Sequence, residues 1–356
     1  METLVIGAYD VLAILDKVGR SEFMDALILR LQDAFRKGAD DSSLRSPARS
    51  GFARASHSDA LLEWMPHQHG ADGLTLKTVS YSPHNVSEND LPTVLGTIVR
   101  YNDSAGRLEA IADAVILTAM RTGAASALAS TLLADPGSRV LGIVGAGAQA
   151  VTQVHALSRR FAFDSVLVFD KVTERAMSLE RRAGFTGLRF EVAPVEEIVK
   201  SADVICTATS VAPGSGPVLP GSEFLPHLHI NAVGSDVRGK RELPDGLLER
   251  ALIFPDHFEQ AMAEGECQYA PKSNIRLDLT QLCAAPAEAV AFRPSTTVFD
   301  STGHALEDYV ALDVLIDYAR ELKIGETADL QHCSADPLDP YCRVSKLAAQ
   351  RQSTAV

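Results

Sequence analysis

The sequence predicts an α/β protein in which a doubly wound parallel sheet follows a smaller α+β unit. Three observations carry this. From residue 138 onward, short apolar runs alternate with helical patterns; a glycine-rich turn sits between the first such run and its helix; and strand-like stretches crowd residues 60–101. Strands alternating with helices form parallel sheets, whereas strands joined only by turns form antiparallel or mixed ones. A chain of 356 residues exceeds what one hydrophobic core spans, so two units are expected: residues 1–125 with 305–356, and residues 126–304.

Taken in order, TLVIGAYDV has the composition of a short strand. Residues 21–37 then place Phe23, Leu27, Leu31 and Phe35 four apart on one helical face. The polar stretch 38–58 is expected to be loop or irregular strand. Strands are expected at 60–65, 74–81 and 94–101, and a long Ala- and Leu-rich helix at 107–134, stopped by Asp135-Pro136-Gly137. The alternating region follows: RVLGIVG, a helix at 148–160, SVLVFD, a helix near 173–183, RFEVA, a helix at 195–201, DVICTAT, HINAVGS, ALIFPD and TTVFD. An amphipathic helix at 305–322, with Leu306, Val310, Val314 and Tyr318 in register, lies beyond the last strand and is placed to rejoin the first unit. The tail from 345 has the composition of a frayed end.

Apolar residues make up 46% of the chain and charged residues 22%, ordinary for a soluble globular protein. A net charge of −13 repels phosphate backbones and anionic lipid, so neither nucleic acid nor membrane is an expected partner. The opening residues lack a basic stretch leading into an apolar one. The five cysteines form no CxxC pair and are expected to be reduced thiols in a cytoplasmic protein. His67 with His69, and His227 with His229, lack further ligands at a zinc spacing, so no metal centre is expected.

The sharpest motif is Val140 to Ala150, an apolar strand running into Gly145-Ala146-Gly147-Ala148-Gln149-Ala150 at a helix start. Gly145 permits the tight turn, Gly147 lets backbone approach a pyrophosphate, and Ala150 keeps helix close to strand. The helix N-terminus offers free N–H groups and a positive dipole end. SVLVFD ends in Asp170, 23 residues after Gly147, where a carboxylate bonds ribose hydroxyls and repels a 2′-phosphate. A Rossmann-type domain binding NAD in preference to NADP is therefore expected, although the adjacent Lys171 leaves NADP open.

Several segments carry a wider likeness. Arg121-Thr122-Gly123-Ala124-Ala125-Ser126 before LGIVGAGAQA, then HINAVGSDVRGKRELP and VFDSTGHALED, resemble the ornithine cyclodeaminase and mu-crystallin family, over nearly the whole chain. Within it, SPARSGFAR, EWMPH, LKTVSYSP and GECQ are most similar to bacterial lysine cyclodeaminases. The resemblance implies a closed redox cycle: hydride leaves the substrate Cα for NAD, the terminal amine attacks the resulting imine, ammonia departs, and the hydride returns. Ornithine would give proline, and lysine would give pipecolate for secondary metabolism. It also implies a homodimer formed through the N-terminal unit, which would bind substrate as well.

Residue by residue, the resemblance places Arg49, Lys77 and Arg121 on the substrate carboxylate, with Thr302 nearby. Lys77 and Arg121 each interrupt an apolar or small-residue segment, where a charge is costly unless paired or functional; Arg49 is flanked by Arg45 and Arg54 as alternatives. Asp236 follows the apolar strand HINAVG and is expected to take the amine proton, with burial raising its pKa. The resemblance gives cofactor contacts at Thr93, Thr122, Ala148, Gln149, Asp170, Ser210, Ile230, Asn231, Ala232, Val233, Lys240 and Ser301, beside Gly145 and Gly147. An insertion over 211–217 blurs the register at Ser210. Two other readings stay open: an NAD(P)-dependent ketimine reductase or amino acid dehydrogenase, and a non-catalytic crystallin-like binding protein.

Overall fold

The structure is a computed structural model that describes residues 2–39, 41–55, 57–221 and 224–342; the tail from 345 lies outside the described residues. Two sheets organise the chain. The first holds eight strands: β1 (Thr3–Ile6), β2 (Leu44–Arg45), β3 (Ser50–Arg54), β4 (His57–His69), β5 (Leu74–Tyr81), β6 (Val94–Tyr101), β7 (Leu108–Asp113) and, from the far end of the chain, β15 (Glu326–Ala328). Its order is β15-β1-β7-β6-β5-β4-β2, with β3 paired to β4 off this path. Only β1 and β7 run parallel; the other pairs are antiparallel.

The second sheet is wholly parallel. Its strands are β8 (Val140–Val144), β9 (Ser165–Phe169), β10 (Arg189–Val192), β11 (Val204–Thr207), β12 (His229–Ala232), β13 (Leu252–Pro255) and β14 (Thr297–Asp300), in the order β10-β9-β8-β11-β12-β14-β13. Connections run outward in both directions from β8 and β11, so the carboxyl ends of these two strands open a crevice at the reversal point.

The helices are α1 (Ala8–Val18), α2 (Arg20–Gly38), α3 (Asn85–Glu88), α4 (Val115–Leu133), α5 (Ala148–Ser158), α6 (Thr173–Ala183), α7 (Val195–Ser201), α8 (Asp245–Leu248), α9 (Phe258–Glu264), α10 (Leu279–Ala284), α11 (Pro286–Ala289) and α12 (Ala305–Leu322). α12, α1 and α4 pack on the first sheet and α2 packs on α12 and α4; α4 also packs on α5 and on β12 and β14. Almost every residue of α4 is buried, which explains a composition apolar all round rather than along one stripe. Gly123 makes that packing possible, because a β-carbon there would lie 2.5 Å from the carbonyl oxygen of Thr152 on α5.

Two expectations need correction. The helix expected over 107–134 divides into β7 and α4, since LEAIAD buries every second residue while alanine fits either period. TLVIGAYDV is strand only to Ile6; Val11, Ile14 and Leu15 then bury one face of α1. The stretch 38–58, expected as loop or irregular strand, contains β2, β3 and the start of β4, with a register shift between Ala53 and Arg54.

Candidate active site

The glycine turn has the form its residues dictate. Gly145 follows β8 at φ +97° and donates its N–H to Phe169 O at 2.8 Å; a β-carbon on it would lie 2.6 Å from Ala208 O beyond β11. Gly147 and Ala148 are exposed where α5 begins, and a β-carbon on Gly147 would meet nothing within 4 Å. That open backbone beneath a helix N-terminus suits a pyrophosphate. Asp170, just past β9, accepts from the N–H groups of Ala146 and Val172, both at 2.8 Å. Arg182 of α6, which sequence reasoning missed, donates to the carbonyls of Ala146 and Gly147 at 2.7 and 3.1 Å. Nothing in its segment, SLERRA, distinguishes it from a solvated helix arginine.

The remaining cofactor-side residues divide by placement. Ile230, Asn231, Ala232 and Val233 lie along and just beyond β12, and Ser301 beyond β14, all buried. The side chain of Asn231 turns to α4, where its amide donates to Ser130 Oγ at 3.0 Å. Thr122 bonds back to Thr118 O within α4. Gln149 is half-buried, Thr93 is half-buried before β6, and Ser210 is exposed. Glu242, also missed, is fully buried: Thr207 Oγ1 and Gly234 N reach one oxygen, and Thr209 N and Oγ1 the other, at 2.6–2.8 Å. It ties the ends of β11 and β12 together, and burial raises its pKa against those four donors.

Beside the crevice lies a buried ionic cluster. Alternation along β5 turns Lys77 to the covered face, where its ammonium meets Asp308 Oδ1 of α12 at 2.8 Å. Arg121 of α4 reaches the same oxygen through Nε at 3.1 Å and Glu307 Oε2 through Nη1 at 2.7 Å. Burial pushes Lys77 down to about 8, although Asp308 pulls the other way. Burial also lifts Glu307 to about 8 against the pull of Arg121. Gly303 holds φ +90°, and a β-carbon there would sit 2.8 Å from both terminal nitrogens of Arg121.

Of the three candidate arginines near 49, the structure brings Arg49 into this cluster. Its guanidinium meets Glu264 at 2.5 Å, Glu63 at 3.9 Å, Thr302 O at 3.3 Å and Asp236 O. Arg45 lies on exposed β2, and Arg54 donates to Ser82 Oγ. The Asp236 carboxylate pairs with Lys240 Nζ at 2.8 Å and retains 38% side-chain exposure, so the burial expected for it is absent in the chain alone. Lys240 Nζ also sits 4.5 Å from the Tyr81 ring centroid. Thr302 Oγ1 donates to the buried Asp256 at 2.9 Å. The cations were legible as charges interrupting apolar runs. Their partners were not, because Glu307 and Asp308 look like ordinary first-turn acids and Glu63 like an outward strand residue.

The fold and this arrangement define a dinucleotide-binding α/β protein with a buried ionic cluster beside the same strand ends. The chain belongs to the ornithine cyclodeaminase/mu-crystallin family, whose model matches residues 9–323. It is 45% identical over 341 residues to the L-lysine cyclodeaminase of Streptomyces rapamycinicus, covering 96% of this chain and 99% of that one. A lysine cyclodeaminase structure solved to explain recognition of L-lysine, L-ornithine and L-2,4-diaminobutyric acid superposes with a TM-score of 0.93 at 49% identity, covering 97% of this chain and all of that one. An archaeal alanine dehydrogenase dimer with bound NAD gives 0.83 at 28% identity, covering 93% and 100%.

Proposed function

We propose that this protein is an NAD-dependent cyclodeaminase that converts L-lysine to L-pipecolate with release of ammonia, and accepts L-ornithine to give L-proline. One observation carries the substrate class. Four cations, Arg49, Lys77, Arg121 and Lys240, share the buried cluster with five carboxylates, Glu63, Asp236, Asp256, Glu264 and Asp308, and with Glu307, whose pKa of about 8 keeps it largely protonated at neutral pH. A diamino acid brings two ammonium groups and one carboxylate, and so offsets an acidic excess that a neutral amino acid would leave uncompensated.

Gly145, Gly147, Ala148 and Asp170 would hold NAD, which when bound would supply hydride acceptance and return and a positive charge on its oxidised ring. Lys77 and Arg121 hold the α-carboxylate with donors that Asp308 and Glu307 leave free. Asp236, kept in place by Lys240, takes a proton from the substrate amine so that its nitrogen lone pair becomes available. Glu63 and Glu264 face the second ammonium. Burial around Lys77 and Arg121 keeps water from the imine between oxidation and ring closure. Lysine is preferred to ornithine on the identity of the relatives; one methylene is worth only about 1–3 kcal/mol in such a pocket.

In this reading, residues 126–304 bind NAD, and residues 1–125 with the segment from 305 bind substrate and form a homodimer. β3 supports the dimer: it is exposed along its length, and Phe52 presents an apolar ring from it. Cys206, Cys267 and Cys283 are buried thiols, which suits a cytoplasmic protein. The test supplies NAD with lysine, ornithine or 2,4-diaminobutyrate and follows ammonia, cyclic product and NADH. Ammonia and ring product without NADH accumulation are expected; stoichiometric NADH would instead establish a dehydrogenase. Asp236→Asn should keep NAD binding and lose turnover about 100-fold or more.

A further inference from the structure

A second group of ligand-type side chains lies apart from the pocket, at the far edge of the first sheet. His57 and Asp59 stand two apart on β4; His84 and Glu88 stand four apart, at the cap and in the single turn of α3. Strand and helix periods put each pair on one face, and the two faces meet. His84 Nε2 lies 2.9 Å from Asp59 Oδ2, and His57 Nε2 lies 3.5 Å from Glu88 Oε2. The imidazole rings lean together with centroids 5.2 Å apart, and ligand atoms of His57, Asp59 and His84 all fall within 4.8 Å of one another. A cavity of about 80 Å³ beside them is lined by His57, His84 and Glu88. Its neighbouring cation, Arg54, is committed to Ser82 Oγ at 2.6 Å.

A tetrahedral zinc ion bound at about 2.0–2.1 Å by nitrogen and oxygen has ligand-to-ligand edges of roughly 3.3 Å. The Asp59–His84 spacing lies near that value, and the edges to His57 stay within 4.8 Å. Two imidazoles with a carboxylate suit a borderline divalent ion rather than calcium or magnesium, which take oxygen alone. We propose that His57, Asp59 and His84 bind a zinc-class divalent ion, with solvent as the fourth ligand and Glu88 steadying His57, and that the ion clips the start of β4 to α3. The clip has a structural target. Asn85 of α3 donates to Pro92 O at 2.9 Å, and Ser82 N donates to Thr93 O at 2.8 Å, so fastening α3 steadies the turn that leads into β6.

The test uses the full chain without an affinity tag, stripped with EDTA, with Cys333 and Cys342 replaced by serine to remove the more accessible thiols. Zinc chloride titration should give one ion per chain and raise the melting temperature. Cobalt(II) loading should give the visible absorption of a four-coordinate ion. His84→Ala and Asp59→Asn should each weaken zinc binding about tenfold or more, while His227→Ala should leave it unchanged. Absence of saturable binding, or binding indifferent to His84→Ala and Asp59→Asn, overturns the proposal.

Discussion

Gly303 shows how closely the pocket depends on single residues. Its φ of +90° and its approach to Arg121 leave no place for a side chain. Gly303→Ala is expected to cost about 1–3 kcal/mol in urea unfolding, and to raise the KM for the diamino acid more than it weakens NAD binding, because the displaced group, Arg121, belongs to the proposed carboxylate clamp. Lys77 gives a pH prediction. With its pKa near 8 through burial, the ammonium is present below that pH and lost above it. KM should therefore climb between pH 7 and 9 as the charged fraction falls, approaching tenfold per unit past the midpoint. Lys77→Arg, charged throughout, should flatten that limb; a wild-type KM constant across the range would remove Lys77 from carboxylate binding. Both cations could be found from sequence because an isolated charge in an apolar run demands a partner. The partners could not, because acids in a first helical turn have a sufficient local reason to be there.

At the scale of elements, the join between the two sheets is made by α4 and β12 through Ser130 and Asn231. Asn231→Ala removes the amide's bond to Ser130 Oγ and leaves that hydroxyl buried without its partner, which should cost about 1–3 kcal/mol in chemical denaturation. NAD affinity should stay within a few-fold of wild type, since the amide faces the helix; a large loss would assign that side chain to the cofactor. Elements were legible where one period dominated. α12 matches its expected span, and β5, β6 and the alternating strands fall where expected. β7 was absorbed into a helix because its alanines are strong helix formers and mask the buried alternation, and the start of α1 was taken for strand because Leu4, Val5 and Ile6 lead into it.

For the whole molecule, the parallel sheet could be read from its alternation, while the order of the first sheet could not. β15 pairs with β1 across more than 300 residues, a closure invisible to any local pattern. The proposed homodimer is tested by sedimentation, which should give twice the chain mass of 38.1 kDa. Phe52→Glu on the open edge of β3 should shift the equilibrium to monomer; an unchanged dimer would place the interface elsewhere.

α4 also acts as a ruler. It carries Arg121 at one level and Ser130 about two and a half turns further on, with the glycine turn reached through β8 immediately afterwards. Each inserted residue in a helix advances everything beyond it by about 1.5 Å and turns it by about 100°, so a single insertion between 121 and 130 would swing the clamp out of phase with the nucleotide turn. The Asp135–Ser138 connection, by contrast, lies outside both elements and breaks the phase. Length variation among functional versions of this chain should therefore collect at that connection and be missing from the helix that precedes it.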